Sequence, residues 1–186
     1  FRGSYHASDK IPSGSLKWRF ITNDAIESSP AVKNGRIIFG SNDNYIYSLN
    51  LNDASKNWYY KTGGDIVSSP AIADNKIYVG SKDNHLYCLD VNTGQVLWTY
   101  QTEGEIISSP VVEANKVVFG SRDQTLYILD AETGAVLETY KTESIIDSSP
   151  IIVEGIIYFG SYDHTVYALD LNTKKVSWKF KTNGIV

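Results

Sequence analysis

Residues 68–102 read SSPAIADNKIYVGSKDNHLYCLDVNTGQVLWTYQT, and this stretch decides the fold. Pro70-Ala71-Ile72-Ala73 is short and apolar, and Asp74-Asn75 closes it with a tight turn. Lys76-Ile77-Tyr78-Val79-Gly80 is rich in β-branched and aromatic residues, which fit a pleated, half-buried surface. Ser81-Lys82-Asp83-Asn84 is a second turn. His85–Asp90 is a third strand, Asn92-Thr93-Gly94 a third turn, and Val96–Tyr100 a fourth strand. No segment carries a helical period, so the unit is four short strands, A to D, joined by Asn/Asp/Gly turns.

The same unit occurs four times without a gap. Ser-Ser-Pro recurs at Ser28-Ser29-Pro30, Ser68-Ser69-Pro70, Ser108-Ser109-Pro110 and Ser148-Ser149-Pro150. Gly-Ser follows at Gly40, Gly80, Gly120 and Gly160, then Asp at Asp43, Asp83, Asp123 and Asp163. Tyr47, Tyr87, Tyr127 and Tyr167 come next, each with a Leu two residues on. A strict repeat of this length marks an array of units that cannot bury their own apolar faces alone. Strands A to C are apolar at nearly every position, as expected when both sheet faces are covered. Strand D alternates, with Trp98, Tyr100 and Thr102 on one side and Thr99 and Gln101 on the other. Such four-stranded units of about 40 residues are the blades of a β-propeller. The expected fold is therefore all-β, with blades at 28–62, 68–102, 108–142 and 148–182 after a lead-in over 1–15.

Composition narrows the function by exclusion. The net charge of -4 over 186 residues is mild and evenly spread, so there is no basic footprint for nucleic acid. No apolar run approaches the roughly 20 residues of a transmembrane helix. The single cysteine, Cys88, rules out an intrachain disulfide framework and a Cys-only metal cluster. It shares its slot with Ser48, Ile128 and Ala168, and so reads as a small buried packing residue. No signal peptide is visible, but the chain opens at Phe1, so that absence says little about compartment.

The pattern S-S-P-x-(V/I)…(Y/F)-x-G-S-x-D-x-x-(L/V)-Y-x-L-(D/N)…T-G-x-x-x-W resembles the pyrroloquinoline-quinone-type (PQQ-like) propeller repeat over residues 16–182. Phe1-Arg2-Gly3 is similar to the short lead-in of such repeats. The resemblance implies that each strand-D Trp packs on the Thr-Gly turn of the following blade. Trp18, Trp58, Trp98 and Trp178 stand at that position. An indole suits such a wedge, since it buries a large apolar area and has one N–H to place. The sequence departs from the pattern at Glu138, where Trp is expected. It departs again at Thr173-Lys174 and at Asn52-Asp53-Ala54, where Thr-Gly is expected. A weaker contact, or a salt bridge in its place, is expected at Glu138.

Strand counting leaves a remainder. Residues 16–22, Leu16-Lys17-Trp18-Arg19-Phe20-Ile21-Thr22, read as an extra outer strand D ahead of the first blade. The last blade already has its own, and Asn183-Gly184-Ile185-Val186 resembles the run-in to a fifth unit. The expectation is a part of a longer chain forming a seven- or eight-bladed ring, as the resemblance implies. A closed four-bladed ring and an eight-bladed dimer of two copies are the alternatives. An isolated half-ring exposes two apolar blade faces.

Identical positions across the blades do the same structural work, so variable top-face positions are where a site can lie. The four Asp read as turn caps, and the paired Ser as structural groups where the inner strand begins. The residues before the Asp are Asn42, Lys82, Arg122 and Tyr162, and those after it are Asn44, Asn84, Gln124 and His164. Glu27 and Asp147 stand just before their Ser-Ser-Pro runs, where Val67 and Ile107 stand in the other two units. This mixed rim suits an extended peptide or a polar small molecule, and plain surface variation is the competing explanation. His85 and His164 have no partner at metal-ligand spacing, so no metal site is expected.

The resemblance also implies an enzymatic alternative, a dehydrogenase holding pyrroloquinoline quinone and Ca²⁺ on the channel axis. That chemistry needs a cluster of carboxylate and amide oxygens and an Asp base. The dehydrogenases also carry an adjacent Cys-Cys pair and a Trp beneath the quinone. Cys88 stands alone, and every Trp is placed for blade packing. No phosphate loop or nucleophile elbow is present. Short regular repeats instead resemble the non-enzymatic members, among them the propeller lipoprotein of the outer-membrane β-barrel assembly machinery. The expected function is a scaffold that binds a protein or peptide through its top face or edge, with no cofactor. By the same resemblance it is exported, on the periplasmic or extracellular side.

Overall fold

Two-residue turns at Asn34-Gly35 and its equivalents bring strands A and B together. Asn34, with φ 50°, and Gly35, with φ 71°, take the left-handed conformation that suits a tight hairpin. The computed structural model describes residues 14–186, and it builds four antiparallel four-stranded sheets, each in simple A-B-C-D order. Blade one is β1 (Ala31–Lys33), β2 (Arg36–Gly40), β3 (Tyr45–Asn50) and β4 (Lys56–Lys61). Blade two is β5 (Ala71–Ala73), β6 (Lys76–Gly80), β7 (His85–Asp90) and β8 (Val96–Gln101). Blade three is β9 (Val111–Glu113), β10 (Lys116–Gly120), β11 (Thr125–Asp130) and β12 (Val136–Lys141). Blade four is β13 (Ile151–Val153), β14 (Ile156–Ser161), β15 (Thr165–Asp170) and β16 (Val176–Lys181). The short inner strands β1, β5, β9 and β13 follow one another around the axis.

Three of the four hydrophobic clusters lie between blades, and the fourth joins Phe39, Tyr47 and Leu49 of blade one to Phe20 of the leading segment. Ile38, Ile46, Trp58 and Ile66 pack with Ile77, Val79, Tyr87 and Leu89 of the next blade, and the two later junctions repeat this arrangement. The glycine of Gly-Ser exists for this packing: a Cβ on Gly80 would sit 2.2 Å from Ile106 Cγ2 of the following run-in. Cys88 is fully buried in the second of these clusters, and burial pushes its thiol up to about 12, so it is a packing residue.

The leading segment differs from the sequence expectation. Residues 16–22 join none of the four sheets, because no A, B and C strands lie beside them among the described residues. They nevertheless occupy the place of a preceding outer strand. Phe20 meets Tyr47 at 5.4 Å between ring centroids, as Tyr60 meets Tyr87 at 5.6 Å. Most of the lead-in over 1–15, including Phe1-Arg2-Gly3, lies outside the described residues. At the other end, Trp178 is 46 % exposed and Phe180 63 % exposed, whereas Trp58 is 8 % exposed. The outer face of blade four is thus uncovered among the described residues.

Candidate functional site

The B–C turns and the run-ins to strand A form the top face. Each repeated Asp has a structural task there. Asp83 accepts the His85 N–H at 3.0 Å, the Tyr87 hydroxyl at 2.6 Å and, from the preceding blade, the Gly63 N–H at 2.7 Å. Asp43 and Asp123 accept the same three kinds of bond. Burial and the Asp hydrogen bond push the Tyr47, Tyr87, Tyr127 and Tyr167 phenols well above their ordinary range.

The paired serines divide their work. Ser68 Oγ accepts the Gly80 N–H at 3.1 Å and fixes the inner strand to strand B. The second serine links blades: Ser29, Ser69 and Ser109 each donate a backbone N–H to the serine hydroxyl 40 residues on. The hydroxyls of Ser69, Ser109 and Ser149 are therefore engaged around the axis.

Between these fixed points lie the variable rim residues. Asn42 donates its side-chain amide to Glu27 Oε1 at 3.0 Å. Lys82 Nζ lies 2.9 Å from Asp65 Oδ2, and that carboxylate, with Glu105 and Glu27 further off, raises the ammonium pKa. Arg122 bridges two carboxylates. Its Nη1 meets Glu105 at 2.8 Å, while its Nε and Nη2 form a fork on Asp147 at 3.0 and 2.9 Å. Such bidentate pairs fix geometry as well as charge. Tyr162 stands in the equivalent slot of blade four, its N–H bonded to the Ile145 carbonyl.

Sequence reasoning missed Asp65 and Glu105. The signal was a constant offset: each lies 17 residues before the cation it meets. Asn44, Asn84, Gln124 and His164 behave differently from their neighbours. All four have positive φ, between 64° and 74°, so their first duty is the left-handed turn position that amide side chains tolerate best. Gln124 and His164 are exposed and form no part of the charged cluster.

The tryptophans lie away from the rim. Trp18, Trp58 and Trp98 donate Nε1–H to the carbonyls of Leu51, Val91 and Ala131 at 3.0, 3.1 and 3.3 Å. A Cβ on Gly94 or Gly134 would sit 2.6 or 2.7 Å from the ring of Trp58 or Trp98. Trp178 instead rests on Tyr158 of its own blade.

No group of three His, Cys, Asp or Glu among the described residues is placed to hold a metal ion. Glu27, Asp65, Glu105 and Asp147 are each engaged by an amide or a cation.

The family model described as outer membrane protein assembly factor BamB matches residues 2–180. The chain belongs to that family. BamB from Moraxella catarrhalis has the same fold, with a TM-score of 0.80 at 22% identity over 90% of this chain and 53% of that one. The computationally designed Ika8 protein gives a TM-score of 0.76 at 19% identity, covering 84% of this chain and 49% of its own. The designed Ika4 protein gives 0.74 at 21%, covering 85% and 96%. This chain thus spans about half the length of the BamB structure it matches. A search of curated protein sequences gives no match. No helix of the described residues is long and apolar enough to cross a membrane.

Proposed function

We propose that this chain is a non-enzymatic propeller scaffold that binds a protein or peptide in outer-membrane protein assembly, chiefly through its top rim. The observation that carries this reading is the Arg122 clamp. It joins Glu105 of one blade run-in to Asp147 of the next, and so fixes charged groups on two blades in one geometry. With Glu27, Asp65 and Lys82 alongside, the rim offers four carboxylates against two cations, a preformed polar surface of the kind a partner reads. Membership of the BamB family supports a protein partner. It also supports export to the periplasmic side. The wedge role of Trp18, Trp58 and Trp98 belongs to the same reading, since a rim spread over several blades recognises a partner only if the blades are held rigidly. The uncovered face of blade four and the coverage of about half of BamB support a ring of seven or eight blades.

The reading is tested by photo-crosslinking in the native host. A photoreactive residue at Lys82 or Tyr162 is expected to give a discrete protein adduct, and one at Asn92, in a C–D turn, none. Absence of adducts from every rim position would sink it.

A further inference from the structure

Blade one carries side chains that its sister blades lack. Tyr45 corresponds to His85, Thr125 and Thr165, and Tyr59 to Thr99, Thr139 and Lys179. These two tyrosines extend the repeated aromatic pair of the blade. Phe39 stacks on Tyr47 at 5.4 Å, Tyr47 meets Tyr45 at 5.8 Å, and Tyr45 meets Tyr59 edge-on at 5.5 Å. Phe20 and Asn23 of the leading segment, with Tyr45, Tyr47, Lys56 and Tyr59, line a groove of about 380 Å³. Tyr59 is 51 % exposed there.

Charge selects the ligand. The bulge between Ser48 and Leu49 alters the register at Lys56, and its ammonium lies 4.0 Å above the Tyr59 ring. Lys61 Nζ lies 5.9 Å from the Tyr45 ring at the far end of the same strand. Neither forms an ion pair with a carboxylate among the described residues, unlike Lys76, Lys82 and Lys174. One face of β4 therefore presents Lys, Tyr, Lys in a row. Because β4 is the last strand of its sheet, no strand among the described residues pairs with its outer edge, which can take a further strand.

We propose that this groove takes an extended acidic peptide that adds to β4. An aromatic side chain of the peptide lies over Tyr59, and acidic side chains two residues to either side meet Lys56 and Lys61. Residues at i and i+2 of a strand share a face, which matches the spacing of the row. The inference rests on the protein-binding reading above but uses a surface separate from the rim.

The test is fluorescence anisotropy on the whole chain, with a fluorescein-labelled peptide of core Glu-Ser-Phe-Ser-Glu as the probe. Controls are Lys-Ser-Phe-Ser-Lys and the face-shifted Glu-Phe-Ser-Ser-Glu. The expected result is saturable, salt-sensitive binding of the first peptide, at least about tenfold tighter than either control. Tyr59→Ser and the pair Lys56→Glu, Lys61→Glu each weaken it at least about tenfold, while Arg122→Gln leaves it unchanged. Far-UV circular dichroism checks that the variants fold. Equal binding of the controls, or indifference to the groove variants, overturns the proposal. So does the absence of peptide binding, or a uronate or sulfated disaccharide binding the groove where the peptide does not. None of these results touches the rim, which the crosslinking experiment tests separately.

Discussion

Glu138 Oε2 and Lys174 Nζ form an ion pair at 3.0 Å in the slot where the two preceding blade junctions seat an indole over a glycine. Both partners have changed together. At the two glycine junctions a Cβ would sit 2.6 or 2.7 Å from the indole, so a Trp at 138 packed in the same way would crowd the Cβ of Lys174. Lys174 keeps φ 58°, the left-handed conformation of its glycine counterparts, at a cost of about 1 kcal/mol. The pair itself contributes at most about 1 kcal/mol, since both side chains are partly exposed. Glu138→Trp alone is therefore expected to destabilise the chain, and Glu138→Trp with Lys174→Gly to match or exceed the parent. A double-mutant cycle in urea should show coupling of at least about 1 kcal/mol. Simple additivity would contradict the exchange.

The indole junctions should differ sharply in energetic weight. Trp58 is buried and hydrogen-bonded to the next blade, whereas Trp178 is half exposed. Trp58→Ala should cost about 3–5 kcal/mol and Trp178→Ala less than about 1, read from urea midpoints at constant m. Equal costs would mean that the Trp58 contact is not what holds blades one and two together.

Stability should fall at both ends of the pH range. Tyr127 and its equivalents are raised in the fold by burial and by their Asp partners. The unfolded chain then releases those protons first, so their contribution is complete below about pH 10 and is lost as pH rises beyond it. On the acid side, burial opposes ionisation of Asp163, but hydrogen bonds from the Tyr167 hydroxyl and the Glu143 N–H help to outweigh it and lower its pKa. Its contribution is present above about pH 4 and is lost as pH falls through the lowered folded value. Tyr127→Phe should flatten the alkaline limb and Asp163→Asn the acid limb. Unchanged slopes would remove these groups from the account.

Pyrroloquinoline quinone with Ca²⁺ should leave the Tyr and Trp fluorescence and the thermal midpoint of the chain unchanged. A ligand at 100 times its Kd stabilises by about 2.7 kcal/mol, a shift easily seen. A saturable rise would revive the dehydrogenase alternative.

The fold was legible because Ser28, Gly40, Asp43 and Tyr47 recur in register, and the repeated residues serve the same contacts from blade to blade, apart from the Oδ1 of Asp163, which lacks the N–H partner of its equivalents. The Asp could be read as turn groups for the same reason. Their third bond, to the N–H of the preceding blade, was not readable, because it joins residues that a single unit does not contain. The rim was half legible. Glu27 and Asp147 were found beside their Ser-Ser-Pro runs, but Asp65 and Glu105 sit in connections whose path over the next blade only the packing fixes. Asn44 and its equivalents looked like freely varying rim positions until their positive φ showed a backbone constraint. Residues 16–22 read as a strand from their likeness to the D strands of the blades, and that likeness does not supply a sheet to join.

The central claim is that the rim reads a protein partner. Its most direct test is the affinity of the crosslinked partner, once identified, for the parent chain and for the double variant Lys82→Gln, Arg122→Gln. Both side chains lie at the surface, so the fold should survive, and circular dichroism checks that it does. The account predicts binding weakened about tenfold or more, as expected when charge-bearing contacts are lost from an interface. An unchanged affinity in a folded double variant would contradict it.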